Sequence, residues 1–451
     1  MNETKTLSNF LAGVSYSDLD SDTVTYAKHL FLDWLASAFA GSDSFPVKTL
    51  LQVAKESGNS GNSSVIPDKS VLNPLWAGFV NAASSHIVEM DDLHRSSILH
   101  PGSPIISAVF AFAEDNSLSG RDVILATVAG YEAGIRIGEA LGTSHYQYFH
   151  TTGTAGTFGA AVGVCKLFNC SSEEMVNSLG NAGTQASGVW EFLKHGAHSK
   201  QLHTAKAAFN GALSAMLAKR GFRGAQTILE GEKGFIVATS RVPHMEKITE
   251  NLGNGFKLNE TSIKFFASCR HTHPSLDAIY KVMDKIKSPD QIQKIELYTY
   301  KNACDLVDNP NPVNPYQAKF SLQFTTALLL HRGKIVPEMF NEKNLQDSEL
   351  RKLMKKITIY HDEKYTKMYP VKWGAKAVII FVNKENLTSE SLYPKGDPEN
   401  PLSVDELVEK FRLLTKDFLS NEQIKRFVKF SLNLDKIDNV GSQFRKILNL
   451  G

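Results

Sequence analysis

The stretch MDDLHRSSILHPGS, residues 90–103, concentrates acid and base side chains in a chain that is otherwise largely apolar and helical in pattern. Asp91 and Asp92 are adjacent, and His94 and His100 follow among small hydroxyl residues. Such a segment is often only an exposed loop, because Asp, Ser and His are common in connections. A carboxylate beside a histidine can also orient the imidazole for proton transfer near neutral pH. The residue types therefore fit either a solvated connection or an acid–base site.

Three other stretches have the same character: HYQYFHTTGTAG, KHGAHSKQLHTAK and KFFASCRHTHPS. Each places His or Lys beside small residues near the end of an apolar segment. For any single histidine a structural role is the commoner one, but four such stretches together make a shared site the stronger interpretation. They can share a task only if the fold brings them to one place.

Helical periodicity dominates the chain from about residue 5 to about residue 225. In DTVTYAKHLFLDWLASAFAG, apolar residues recur at spacings of three and four, with Asp22 predicted as the N-cap and Gly41 as the terminator. Similar patterns predict helices within residues 73–90, 102–116, 120–141, 173–188 and 199–221.

Small residues recur every three or four positions in TGTAGTFGAAVGVCKLF, at Gly153, Gly156, Gly159 and Gly163. This spacing lets a neighbouring helix approach closely. Nothing upstream resembles a strand that feeds a dinucleotide-binding turn. We therefore predict that the glycines serve helix packing.

The pattern changes after about residue 260. Alternating polar and apolar residues predict strands in QIQKIELYTYKNA, RKLMKKITIY and WGAKAVIIFV, while DAIYKVMDKI and SLQFTTALLLHRG remain helical. The proline-rich YPKGDPENPLS predicts a connector, and the chain beyond it is helical again. The predicted fold class is mainly α, with a helical domain from residues 1–260 and 398–451 and a smaller α+β domain from residues 261–397.

Composition excludes several classes of protein. The 451 residues include 49 Lys+Arg and 47 Asp+Glu, a net charge of +2, which offers no overall attraction for nucleic acid or a membrane surface. No apolar run reaches about 18 residues, so we expect a soluble, cytoplasmic protein. The four cysteines, Cys165, Cys170, Cys269 and Cys304, have irregular spacing, which predicts reduced thiols without a disulfide framework or zinc motif. Common nucleotide and metal-protease motifs are also missing from the sequence.

Five ordered motifs resemble those of the MmgE/PrpD family: HIVEMDDLHRSSILHPGS, HTTGTAGTFGAAVG, SKQLHTAKAA, KFFASCRHTHPSLDA and NPYQAKFSLQF. The resemblance covers nearly the whole chain. The family includes 2-methylcitrate dehydratase, cis-aconitate decarboxylase and iminodisuccinate epimerase, which act on small polycarboxylates without a redox cofactor. The resemblance implies a large helical domain from both chain ends with an α+β lid, and it favours a homodimer.

The resemblance also implies a set of site residues. Its catalytic members are Asp91, His100, His150, Lys200 and Lys264, and its substrate-binding members are Asp92, Cys269 and His273. Lysines suit a substrate with two or three carboxylates, whereas histidines can move its protons. Asp92 could equally be the structural member of its pair. We expect no metal and no cofactor in this site.

Departures from the family pattern bear on the reaction. The decarboxylase branch has Thr, His and Tyr where this chain has Leu93, Cys269 and Phe324, and Glu89 stands where Asp is often found. Dehydration of a 2-methylcitrate-like hydroxy acid is therefore our first expectation, with cis-aconitate decarboxylation or iminodisuccinate epimerisation as alternatives. Two other classes stay open. A metal hydrolase could use His271 and His273 with an aspartate, and a noncatalytic helical scaffold would scatter its His and Lys over the surface.

Overall fold

The computed structural model of the chain describes residues 2–57, 60–68 and 70–449. It contains two compact units, one within residues 1–261 and 403–451 and the other within residues 262–402. Helices make up most of the described chain and sheet is scarce, so the predicted mainly α fold class is confirmed.

The α-helices of the described chain are α1 (Glu3–Gly13), α2 (Ser21–Gly41), α3 (Phe45–Glu56), α4 (Pro74–Ile87), α5 (Gly102–Asp115), α6 (Gly120–Tyr146), α7 (Thr151–Leu167), α8 (Ser172–Gly183), α9 (Phe192–His195), α10 (Ser199–Lys219), α11 (Phe235–Thr239), α12 (His273–Tyr280), α13 (Lys301–Val307), α14 (Pro315–Ala318), α15 (Leu322–Arg332), α16 (Glu342–Leu345), α17 (Ser348–Met354), α18 (Glu363–Met368), α19 (Val404–Thr415), α20 (Asn421–Leu432) and α21 (Val440–Leu448). Its strands are β1 (Ser63–Ser64), β2 (Val71–Leu72), β3 (Leu93–His94), β4 (Thr261–Ser262), β5 (Ile292–Thr299), β6 (Ile357–His361), β7 (Ala375–Phe381) and β8 (Asn386–Ser391).

Helix α2 is a central helix of the first unit, buried on almost every side along its second half. It ends at Gly41, as the sequence predicted, but its N-cap is Asp20. The Asp20 side chain accepts a hydrogen bond of 2.7 Å from the backbone N–H of Thr23. The prediction that Asp22 caps this helix was wrong, because Asp22 already lies within its first turn. Among the described residues, no helix has the length and apolar composition needed to cross a membrane.

Glycines in α7 allow α5 to pack against it at close range, as predicted. A Cβ on Gly156 would lie 2.8 Å from Cγ of Pro104, and one on Gly159 would lie 2.5 Å from Cδ1 of Ile105. Both distances are shorter than real Cβ contacts, so larger residues would push the helices apart. The first turn of α5 therefore lies against the second and third turns of α7. The backbone N–H of His100, just before α5, donates a hydrogen bond of 3.2 Å to Oγ1 of Thr152 in the first turn of α7.

The second unit contains a four-stranded sheet in the order β6-β5-β7-β8. Strand β5 pairs in parallel with β6 and antiparallel with β7, and β7 pairs antiparallel with β8. Along β5, Ile295, Leu297 and Thr299 are buried, which is the alternation expected of a strand with one covered face.

The strands predicted within residues 291–303 and 373–382 are confirmed. The third prediction was partly wrong. Residues 351–354 belong to α17 and only Ile357 begins a strand. The cause is local, because the Asp347 side chain accepts hydrogen bonds from the N–H groups of Glu349 and Leu350 and so caps a helix just before the strand.

Candidate functional site

The segment Glu89–Met90–Asp91–Asp92 follows α4 in the first unit, and all four residues are buried. Glu89 has a φ of 60°, a left-handed conformation that residues other than glycine rarely adopt. The backbone N–H of Glu89 donates to the carbonyl of His86, which closes a tight turn after the helix. This turn directs the neighbouring carboxylates into the protein interior.

Three side chains contact the carboxylate of Asp91. Its Oδ2 lies 2.6 Å from Nδ1 of His86, 3.3 Å from Nδ1 of His100 and 2.9 Å from Oγ of Ser103. Burial by itself would raise the pKa of the Asp91 carboxyl. The positive charges of His86 and His100 outweigh burial and hold this pKa well below its ordinary value. Asp91 is therefore a carboxylate at neutral pH that orients two imidazoles.

Asp92 has the opposite environment, although it is the next residue. Its Oδ2 lies 2.7 Å from the Tyr131 hydroxyl, and its Oδ1 accepts a hydrogen bond of 2.9 Å from the Gly102 backbone N–H. Burial raises the pKa of Asp92 to about 8, with a further contribution from the charge of Asp91, against the hydrogen bonds that lower it. Both oxygens are engaged by the protein, which favours the structural role for Asp92.

His150 immediately precedes α7, and its ring lies among other rings. The ring centroid is 5.5 Å from that of His86, 5.6 Å from that of His203 and 5.0 Å from that of Trp190. Burial lowers the pKa of His150 well below its ordinary value, and the nearby positive charges of His86 and Lys200 lower it further. His150 is therefore neutral near pH 7. A neutral imidazole can accept a proton.

Lys200 lies in the first turn of α10 and forms a buried ion pair with Glu89. Its side chain is only 5% exposed and that of Glu89 only 3%. The sequence predicted Lys200 as a fixed cation for a substrate carboxylate, whereas the structure places its ammonium group on a carboxylate of the protein. An ammonium group has three donor hydrogens, so a substrate carboxylate at this place would share Lys200 with Glu89.

The remaining predicted residues, Lys264, Cys269 and His273, belong to the second unit. The side chain of Lys264 is fully buried. Cys269 is buried, and its backbone N–H donates to the carbonyl of Lys319. His273 begins α12, with Nε2 3.4 Å from the carbonyl oxygen of Ser268. The parts assigned to these three residues by resemblance stay predictions.

Comparison with known proteins assigns the chain to a family. The MmgE/PrpD N-terminal domain matches residues 5–247, and the MmgE/PrpD C-terminal domain matches residues 266–436. The chain belongs to the MmgE/PrpD family. The resemblance seen in the sequence is therefore confirmed.

Several relatives of this MmgE/PrpD chain are enzymes of the lyase kind. It is 26% identical to a cis-aconitate decarboxylase of Aspergillus terreus, over 97% of this chain and 94% of the relative. It is 24% identical to the human cis-aconitate decarboxylase, over 97% and 92%. A 2-methylcitrate dehydratase of Salmonella typhi is 22% identical over 38% of each chain. These relatives support an enzyme of the lyase kind.

Sequence reasoning missed two histidines of the candidate site, His86 and His203. His86 lies in the last turn of α4 and contacts Asp91, and its Nε2 has no hydrogen-bond partner in the described part of the chain. His203 lies in α10, where burial lowers its pKa to about 4. Both stand inside motifs quoted above, but neither spacing nor composition distinguished them from structural histidines. Only the fold places them beside His150.

Among the described residues, two groups of side chains could hold a metal ion: His86, Asp91 and His100, and His94, Glu139 and Glu260. One donor atom each from His86, Asp91 and His100 lie within 4.8 Å of one another. Nδ1 of His86 and Oδ2 of Asp91 lie 2.6 Å apart, the distance of a short hydrogen bond, so these two atoms are engaged with each other. His271, a candidate ligand in the metal-hydrolase alternative, contacts the Tyr300 hydroxyl through Nδ1 at 2.7 Å and stacks on Trp373. These contacts give His271 a structural place in the second unit.

Proposed function

We propose that this protein is a cofactor-independent lyase that acts on a small di- or tricarboxylate by acid–base catalysis. The reaction that we propose first is the dehydration of a 2-methylcitrate-like hydroxy acid. One observation carries the proposal. A neutral, buried imidazole, His150, lies beside the two imidazoles, His86 and His100, that contact the ionised Asp91. A base and an acid are therefore available in one cluster.

In this reaction His150 takes the proton from the carbon next to a substrate carboxylate. Negative charge then develops on that carboxylate, where cationic imidazoles can stabilise it. His100, protonated and held by Asp91, gives a proton to the departing hydroxyl group, which leaves as water. The carbon–carbon double bond forms as the C–H and C–O bonds break, so no electron acceptor is required.

Decarboxylation of a cis-aconitate-like substrate is the second candidate. Relatives named cis-aconitate decarboxylase align with nearly the whole chain, whereas the named dehydratase aligns with 38% of it. In that reaction a carboxylate leaves as carbon dioxide, and a protonated imidazole such as His100 gives its proton to the carbon left behind. Leu93, Cys269 and Phe324 depart from the decarboxylase pattern and weigh against this reaction.

A substrate screen by proton NMR in heavy water tests the proposal. Purified protein is incubated separately with 2-methylcitrate, citrate, cis-aconitate and iminodisuccinate. Dehydration gives a new olefinic C–H signal when the proton leaves a CH2 group, and it turns the methyl doublet of 2-methylcitrate into a singlet when the proton leaves the methyl-bearing carbon. Decarboxylation gives a product with one carboxylate fewer and deuterium at the protonated carbon. Epimerisation exchanges a C–H for deuterium without loss of a group. Turnover of none of the four substrates would contradict the proposed function, and the product identifies which reaction applies.

A further inference from the structure

A buried lysine from the C-terminal helices reaches the segment that carries Asp91. Lys410 lies in α19, and its ammonium group donates a hydrogen bond of 2.8 Å to the backbone carbonyl of Met90. The same group forms an ion pair with Asp33 of α2. Both side chains are buried, at 7% and 1% exposure. The contact joins residues 320 positions apart in the sequence.

The position of the Met90 carbonyl matters for the carboxylate that follows it. The peptide bond between Met90 and Asp91 is planar, so a fixed carbonyl oxygen also fixes the backbone nitrogen and Cα of Asp91. Glu89, one residue earlier, has an uncommon positive φ and is held by its ion pair with Lys200. Lys410, from α19, holds the peptide group between Met90 and Asp91.

We propose that Lys410 is a positioning residue that sets the placement of Asp91 against His86 and His100. This inference rests on the proposed function, in which these imidazoles move protons. A simple structural role would be fulfilled by the ion pair with Asp33 alone. The additional hydrogen bond to the residue before Asp91 gives Lys410 a means of acting on the site.

The test must separate positioning from folding. Lys410→Met alone would leave the Asp33 carboxylate buried without its cation, which is strongly destabilising. The double variant Asp33→Asn with Lys410→Met removes both charges, and neutralising a buried pair in this way often preserves the fold. It still removes the donor to the Met90 carbonyl. Lys425→Met, at an exposed position of α20, is the matched control.

Two measurements are made on the folded double variant. Steady-state kinetics on the substrate found by the NMR screen should show kcat lowered by about 10- to 100-fold with KM nearly unchanged, as misplacement by a fraction of an ångström to one ångström would cause. Titration of the histidine ring signals by ¹⁵N NMR without substrate should show altered midpoints for the imidazoles beside Asp91. The control should match the wild-type protein in both measurements.

A folded double variant with wild-type kcat and unchanged histidine titrations would overturn the inference. Lowered kcat with unchanged titrations would overturn it as well, because Lys410 would then not act through Asp91 and its imidazoles. If the double variant fails to fold, the role of Lys410 is structural and the inference is wrong. If the wild-type protein turns over none of the substrates, the proposed function fails, while the histidine titration still decides the effect of Lys410 on the Asp91 cluster.

Discussion

Asp91→Asn and Asp92→Asn make the same chemical change at neighbouring residues, but the protein lowers the pKa of the Asp91 carboxyl and raises that of Asp92. Asp91 is an ionised acceptor for His86 and His100, so its amide variant removes the charge that supports both imidazoles. We expect Asp91→Asn to lower kcat by about 10²- to 10⁴-fold, the usual range for an essential proton-transfer group. Asp92→Asn should keep a kcat close to that of the wild-type protein.

The effect of Asp92 on stability follows from its pKa of about 8. An unfolded chain titrates its aspartates near pH 3.9, so from about pH 5 to pH 7 the folded protein binds one proton that the unfolded chain does not. A raised carboxyl pKa therefore makes the free energy of unfolding fall as pH rises. For one proton this slope is about 1.4 kcal/mol per pH unit.

Asp92→Asn removes this proton linkage while preserving the hydrogen bonds. The Asn carbonyl can accept from the Gly102 N–H, and the Asn amide can donate to the Tyr131 hydroxyl oxygen. Urea unfolding at pH 5, 6 and 7 gives the free energy of unfolding of both proteins, and the other titrating groups cancel in their difference. The wild-type protein should lose about 1.4 kcal/mol more per pH unit than Asp92→Asn. Parallel pH profiles, or a kcat of Asp92→Asn as low as that of Asp91→Asn, would refute the reasoning.

Four other outcomes are expected. Glu89→Gln leaves the buried Lys200 without its carboxylate partner, so urea unfolding should show a loss of about 3–5 kcal/mol in the free energy of unfolding. The control Arg412→Gln, which breaks an exposed ion pair of α19, should not show this loss. Burial lowers the pKa of His145 from 6.5 to about 4, so the unfolded chain binds a proton between these pH values that the folded protein does not. The free energy of unfolding should therefore fall by up to about 3 kcal/mol as pH falls from 6.5 to 4, and it should fall less in His145→Gln. Treatment with a chelator followed by metal analysis should leave turnover unchanged, whereas activity restored only by added metal would favour the hydrolase alternative. Light scattering at micromolar concentration should give the mass of a homodimer, and a monomer would contradict that prediction.

The sequence predicted elements better than it predicted their ends. Apolar periodicity located α2 and its end at Gly41, but Asp20 and Asp22 are equally good caps by residue type, and only the path of the chain decides between them. Residues 351–354 were predicted as part of a strand, yet the cap at Asp347 starts a helix there. In both cases a side-chain hydrogen bond to the backbone decided the outcome.

The family motifs named residues of the candidate site, but the sequence did not show which side chains contact them. Asp91, His100 and His150 lie around His86, and Lys200 belongs to the same unit, where its charge lowers the pKa of His150. The sequence could not distinguish Asp91 from Asp92, because the difference arises from partners on α4, α5 and α6. It could not foresee that Lys200 pairs with Glu89 across 111 residues, or that Lys410 reaches Met90 from the far end of the chain. These are long-range contacts, and no local pattern encodes them.

The most direct test of the account is the role of His150 in moving a proton at carbon. Turnover and deuterium incorporation are followed by NMR in heavy water for the wild-type protein, for His150→Gln and for His195→Gln, an exposed histidine that serves as the control. The account predicts that His150→Gln folds normally by circular dichroism, lowers kcat by about 10²- to 10⁴-fold and changes KM little, while His195→Gln matches the wild-type protein. If folded His150→Gln retains nearly full turnover, His150 is structural and the proposed acid–base mechanism is wrong.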